Sequence, residues 1–219
     1  MTEPDWPALN RANWDERVAA HLAPESDYDL SGLRAGHHAL HGIEECELGP
    51  VKGLRLLHLQ CHFGLDTLAL AQRGAEVTGV DFSGPAIEAA QGLAKELGLA
   101  ANFVRSDIYA ARQVLSGDFD GVFTTWGTIP WLPDIAGWAR VIASLLKPGG
   151  FLYFADMHPA AMVFDDEAGM ACGQVGSGRI STRAFSRSTT RGTMPIPRRC
   201  YDTARRTISC IRSATWCRR

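Results

Sequence analysis

From Leu54 onward the hydrophobic pattern becomes regular. Leu54-Arg55-Leu56-Leu57-His58-Leu59 is a short apolar run that predicts a buried strand. Leu65 to Arg73 has helical spacing, with Leu65, Leu68 and Ala69 on one face and Gly74 as a stop signal. Ala75 to Val80 predicts a second strand, closed by Asp81. Ser83 as N-cap and Pro85 in the first turn predict a helix over Ala86 to Leu97. Ala101 to Val104 reads as a third strand, Ala110 to Leu115 as a short helix, and Phe119 to Thr124 as a fourth strand. Asp134 caps a helix whose Ile135, Trp138, Ile142 and Leu145 share one face. Lys147-Pro148-Gly149-Gly150 ends that helix, and Phe151 to Ala155 is a fifth strand.

Strands alternating with helices predict βαβ units, hence an α/β fold with a mostly parallel sheet covered by helices on both faces. Residues 1–50 read differently, as an irregular lead with one short helix over Trp14 to Leu22. Pro24, Gly32, Gly36, Gly42 and Pro50 punctuate the rest of the lead. In an open α/β sheet, ligands bind beyond the carboxyl ends of the strands. The residues to inspect are therefore Gln60-Cys61-His62-Phe63-Gly64 after the first strand and Asp81 after the second. Ser106-Asp107-Ile108 follows the third strand, and Thr124-Thr125-Trp126-Gly127 the fourth.

Four stretches in order carry a resemblance. They are Leu57 to Thr67, Val77-Thr78-Gly79-Val80-Asp81-Phe82-Ser83, Phe103-Val104-Arg105-Ser106-Asp107, and Leu145-Leu146-Lys147-Pro148-Gly149-Gly150. Over about residues 51–165 the chain resembles the class I S-adenosylmethionine-dependent methyltransferases, in a bacterial type-11-like subgroup. The resemblance implies a Rossmann-like methyltransferase fold, S-adenosylmethionine as cofactor and a small-molecule methyl acceptor. It implies that Gln60, Cys61, His62 and Gly64 line the methionine part of the cofactor, and that Asp81 holds the ribose. Phe82 would cover the adenine, Asp107 would accept from its amino group, and Ile108 would pack on the ring. Thr125 would be a further cofactor contact, and the segment around Trp14 a lid. The family's loop has three glycines. Here Gln60 and His62 stand at two of those places, and both residue types disfavour positive φ.

Local chemistry gives plainer readings of the same residues. Asp81 could simply end a strand, and Ser106-Asp107 is common turn chemistry. His58 reads as a packed core residue, and Trp126 and Trp131 as core or wall. His158 and Trp126 are the substrate-side candidates, and no catalytic residue is assigned. His37, His38 and His41 suggest a metal cluster, but they lack Cys or carboxylate at supporting spacing and read as a surface loop.

Charge divides the chain. Residues 1–167 hold 11 Lys and Arg against 23 Asp and Glu, whereas residues 168–219 hold 11 Arg, no Lys and one acid, Asp202. The predicted organisation is therefore a lead and candidate lid over 1–50, a cofactor-binding domain over 51–167, and a basic tail over 168–219. A disordered tail or a nucleic-acid-binding arm leaves the tail's Cys and Trp content and its absence of Lys unexplained. A shifted reading frame explains both. It permits Asp-Tyr-Ala-Asp-Pro across Gly192 to Pro197, and a second family-like string across Arg206 to Cys217. We therefore expect a single frameshift between about Asp165 and Cys172, the loss of the last two strands of the sheet, and weakened or absent activity. Scattered Cys, no apolar run of membrane-spanning length and a polar N-terminus predict a cytoplasmic chain with no metal and no membrane partner. The rival readings are a nucleotide-dependent oxidoreductase, disfavoured by the absence of GxGxxG, and a cofactor-free remnant or basic-tailed nucleic-acid binder.

Overall fold

The computed structural model describes residues 5–26, 28, 30–37 and 40–157. The chain divides into two units, Met1–Asp156 and Met157–Arg219. Of the second unit only Met157 is described. His158, the expected tail and the expected loss of two strands all lie outside the described residues.

Five strands form one parallel sheet: β1 (Arg55–Leu59), β2 (Glu76–Asp81), β3 (Ala101–Arg105), β4 (Phe119–Thr125) and β5 (Leu146–Ala155). Their order is β3-β2-β1-β4-β5. The winding reverses between β1 and β4, which puts the crevice of an α/β sheet at the carboxyl ends of those two strands. Side chains alternate along β1. Leu57 and Leu59 join Val80, Val122, Trp138, Ile142 and Leu145 in one buried cluster, while Leu56 joins Leu40, Leu70, Val77, Phe123 and Tyr153 in another. This period of two, with both faces buried, is what a central parallel strand requires. Truncating the fully buried Leu57 to Ala should cost about 2–5 kcal/mol.

The helices are α1 (Trp6–Leu22), α2 (Leu30–Arg34), α3 (Gly42–Glu47), α4 (Leu65–Gln72), α5 (Gly84–Leu97), α6 (Ala111–Val114) and α7 (Ile135–Leu145). The expected caps form. Ser83 Oγ accepts from the Ala86 N–H at 3.3 Å, and Asp134 Oδ1 from the Gly137 N–H at 2.7 Å. Three expectations need correction. The lead is not irregular: α1 starts eight residues before Trp14, because Asp5 caps it and proline occupies its first turn. Ile135 lies off the buried face of α7 and is 42% exposed, since as the first helical residue it projects past the core. Lys147 to Gly150 belongs to β5, with an irregularity where Phe119 and Gly121 pair with Leu146 and Phe151. Among the described residues no helix is long and apolar enough to cross a membrane.

Candidate functional site

The loop after β1 takes an unusual path. Gln60, His62 and Gly64 have φ of 58°, 50° and 78°, so every second residue is left-handed. Gln60 and His62 take this conformation although neither is glycine. For an L-residue the left-handed region costs roughly 1–2 kcal/mol, so specific contacts must hold it. The His62 backbone N–H donates to Asp81 Oδ2 at 2.8 Å, and Gln60 Nε2 donates to the Thr128 carbonyl at 3.2 Å. Gly64 has no such latitude. A Cβ there would meet the Phe103 ring at 2.6 Å.

Asp81 closes β2 and is 8% exposed. Its Oδ1 accepts from the Ser83 N–H at 2.9 Å, so each carboxylate oxygen holds one backbone donor and keeps a further lone pair. Burial pushes its pKa up, and the N–H groups of Ser83 and His62 oppose that shift. Phe82 is half-buried beside it, and its carbonyl accepts from Arg105 Nε at 3.3 Å. Asp107, exposed after β3, uses Oδ1 to cap the following turn at the Tyr109 N–H, 2.8 Å away. Ile108 is buried in the core beneath.

Helix α1 lies against this loop. Trp14 meets His62 and Trp131 edge to face, each at 5.4 Å between ring centroids. Ser83 Oγ donates to Asp15 Oδ1 at 2.5 Å. His21 Nδ1 and His62 Nε2 share a hydrogen bond of 2.8 Å, which requires one of the two rings to be neutral at that nitrogen. Burial, and then each ring's charged neighbour, lowers both pKa values, that of His62 to about 4. Tyr28 completes the cluster, 4.9 Å from the His21 ring and 5.0 Å from Phe63.

Across the crevice, two carboxylates shape the loop after β4. Thr125 is buried at the strand end. Trp126 follows with φ 51°, and its Nε1 donates to Glu44 Oε1 at 2.6 Å. Glu44, on α3, is fully buried, and its other oxygen accepts from the His41 N–H at 2.7 Å. Both donors are neutral. Burial and the nearby Asp66 charge raise the Glu44 pKa to about 7. Asp156, just after β5, accepts from the N–H groups of Gly127, Thr128 and Ile129 at 2.7–3.0 Å.

The loop after β1, Asp81, Phe82, Thr125 and Trp126 thus all stand at the carboxyl ends of β1, β2 and β4, with Trp14 above the loop. Cys61 is buried, and burial raises its thiol pKa well above normal. His58 is a core residue as expected, with Nδ1 2.8 Å from Thr67 Oγ1. Among the described residues no group of His, Cys, Asp and Glu could hold a metal. Sequence reading missed His21, Glu44, Thr128 and Asp156. Only His21 carried a signal: Trp14, Val18 and His21 recur at helical spacing on one face. Nothing in the sequence marks Glu44 as buried.

Residues 56–150 match the family described as a methyltransferase domain. The ubiquinone biosynthesis O-methyltransferase of Ralstonia nicotianae is 32% identical over 117 residues, covering 52% of this chain and 48% of the relative. The protein of the same name from Albidiferax ferrireducens is 33% identical over 156 residues, covering 66% of this chain and 61% of the relative. The chain thus spans about half to three fifths of the length of these two curated relatives. The solved magnesium protoporphyrin IX methyltransferase of Synechocystis with bound SAH shares the fold. Its TM-score is 0.51 at 21% identity, over 65% of this chain and 69% of that one.

Proposed function

We propose, from the match of residues 56–150 to a methyltransferase domain and from the shared fold, that this chain moves the methyl group of S-adenosylmethionine to a small-molecule acceptor. The observation that carries the reading is the pairing of a left-handed loop after β1 with the buried Asp81 carboxylate after β2, joined through the His62 N–H. The names of the curated relatives favour an oxygen nucleophile.

The residues fit the cofactor. Asp81 keeps lone pairs for two ribose hydroxyls after accepting from His62 and Ser83. Gln60 Oε1 is buried and finds no donor, as an acceptor awaiting a ligand would be. In this reading Gln60, Cys61, His62 and Gly64 line the methionine part, Phe82 and Ile108 cover the adenine, and Asp107 accepts from its amino group with the oxygen not used in the turn. Thr125 borders the cofactor, and Trp14 closes over it. Trp126 forms the acceptor side.

S-adenosylmethionine supplies a methyl group already activated on a sulfonium, so little acid–base work falls to the protein. The chain's task is to hold the acceptor in line and keep water out. Orientation of this kind is worth as much as about 7–11 kcal/mol of barrier. The rigid β4 loop, held by Glu44 and Asp156, serves that task on the acceptor side.

Residues 168–219 stand outside this domain in our reading, as an out-of-frame continuation. Sequencing the coding DNA from codon 160 past the stop tests that: one frame over, it should stay open. The comparisons support the activity and lend nothing to its expected loss, nor to the oxidoreductase or nucleic-acid readings. The two described cysteines, Cys46 and Cys61, are free thiols, which fits a cytoplasmic setting. Thermal unfolding tests the cofactor. S-adenosylhomocysteine at about a hundred times its Kd should add about 2.7 kcal/mol, a rise of about 5–10 °C. NAD should add nothing. A rise with NAD and none with S-adenosylhomocysteine would favour the oxidoreductase.

A further inference from the structure

We propose that Gln60 reads the amino-acid end of the cofactor: its side-chain oxygen accepts from the ligand's α-ammonium and makes the site selective for S-adenosyl amino acids over 5′-thioadenosines that lack this group. This rests on the cofactor reading above and assigns one of its determinants to a side chain.

Three observations carry it. The first is the orientation of the carboxamide. Nε2 donates to the Thr128 carbonyl at 3.2 Å. A flipped amide would set oxygen against oxygen, so the acceptor end must point the other way. The second is that this acceptor, Oε1, is buried and has no donor. Such an atom is destabilising unless a ligand or water completes it. The third is position. The strand order is β3-β2-β1-β4, and the residues at the strand ends follow it. Asp107 lies after β3, Asp81 closes β2, and Gln60 follows β1 and is tied sideways to the β4 loop. A nucleoside held by its ribose at Asp81 therefore has one end toward β3 and the other toward Gln60. On an S-adenosyl amino acid, the strong donor remaining at that second end is the ammonium; the carboxylate donates nothing. The cost of holding Gln60 at φ 58° is the kind of strain that collects at ligand sites.

The binding of three ligands to the full chain tests this by calorimetry. S-adenosylhomocysteine has the ammonium and the carboxylate, decarboxylated S-adenosylmethionine has only the ammonium, and 5′-methylthioadenosine has neither. Gln60→Gly suits the left-handed backbone and deletes the amide. It should weaken the first two ligands about ten- to a hundredfold and leave the third within about threefold. Gln60→Asn also tolerates positive φ, withdraws the oxygen by one methylene, and serves if the glycine variant does not fold. Asp81→Ala should weaken all three ligands. Equal losses for the three ligands in the Gln60 variants, or none, would overturn the proposal. So would a loss confined to S-adenosylhomocysteine, which would place the carboxylate at this position instead. A wild-type chain that binds none of the three would overturn the cofactor reading itself, and this proposal with it.

Discussion

The His62 backbone N–H donates to Asp81 Oδ2 at 2.8 Å, and this bond ties the loop after β1 to the end of β2. It needs the left-handed turn at His62, where φ is 50°. Backbone and side chain can be separated by substitution. His62→Gly keeps the N–H and removes the strain, so it should retain S-adenosylhomocysteine binding while losing the ring contacts to Trp14 and His21. His62→Pro removes the donor and forbids positive φ, so it should lose binding and lower the melting temperature. Calorimetry on the two variants checks both outcomes.

His58 and His62 set an acid limit on stability. Burial lowers both pKa values to about 4 from an ordinary 6.5. The unfolded chain therefore binds more protons between those values, and stability rises with pH there. The contribution is whole above pH 6.5 and is lost as pH falls toward 4, at up to about 1.4 kcal/mol per pH unit for each ring. Urea unfolding at pH 7, 6 and 5 should show the decline, and His58→Gln should make it shallower.

Glu44 acts in the opposite direction. Its folded pKa of about 7 exceeds the ordinary 4.5, because burial and Asp66 disfavour the charge, with Glu45 adding to them against Trp126 and His41. The stability tied to its neutral form is whole below pH 4.5 and lost as pH rises through 7. Glu44→Gln removes this dependence. Relative to wild type, the variant should gain stability steadily from pH 4.5 to 7, measured by melting temperature across that range. A difference that does not change with pH would show that Glu44 is not titrating there.

Much of the fold was legible in the sequence, for physical reasons that differ by element. Ser83 and Asp134 announced their helices because a capping side chain acts within three residues of itself. The five strands were legible because a sheet buried on both faces demands apolar runs. The start of α1 was not. Trp6 and Leu9 are exposed, so the helix shows no apolar stripe there, and only Asp5 and the first-turn proline mark it. At the site, Asp81 was legible from its place after β2. Glu44 was not, since a charged residue in a polar lead gives no sign that an indole from the loop after β4 will cover it. The left-handed path at Gln60 and His62 ran against local preference, and contacts distant in sequence, to Thr128 and Asp81, enforce it.

Helix α1 should behave as a closing element. Trp14→Ala removes the edge contacts to His62 and Trp131, which lie 5.4 Å from its ring. Loss of this half-buried ring should cost about 1–3 kcal/mol. Hydrogen exchange should quicken over residues 6–22, and S-adenosylhomocysteine should bind more weakly. Unchanged exchange together with unchanged affinity would remove Trp14 from the cofactor lid.

On the proposed function, an S-adenosyl cofactor binds at the carboxyl ends of β1 and β2, with Asp81 at its centre. Calorimetric titration of the full chain and of Asp81→Ala with S-adenosylhomocysteine tests it most directly. The wild type should show saturable one-to-one binding, and the variant an affinity about ten- to a hundredfold lower. No binding by the wild type, or equal binding by both proteins, would contradict it.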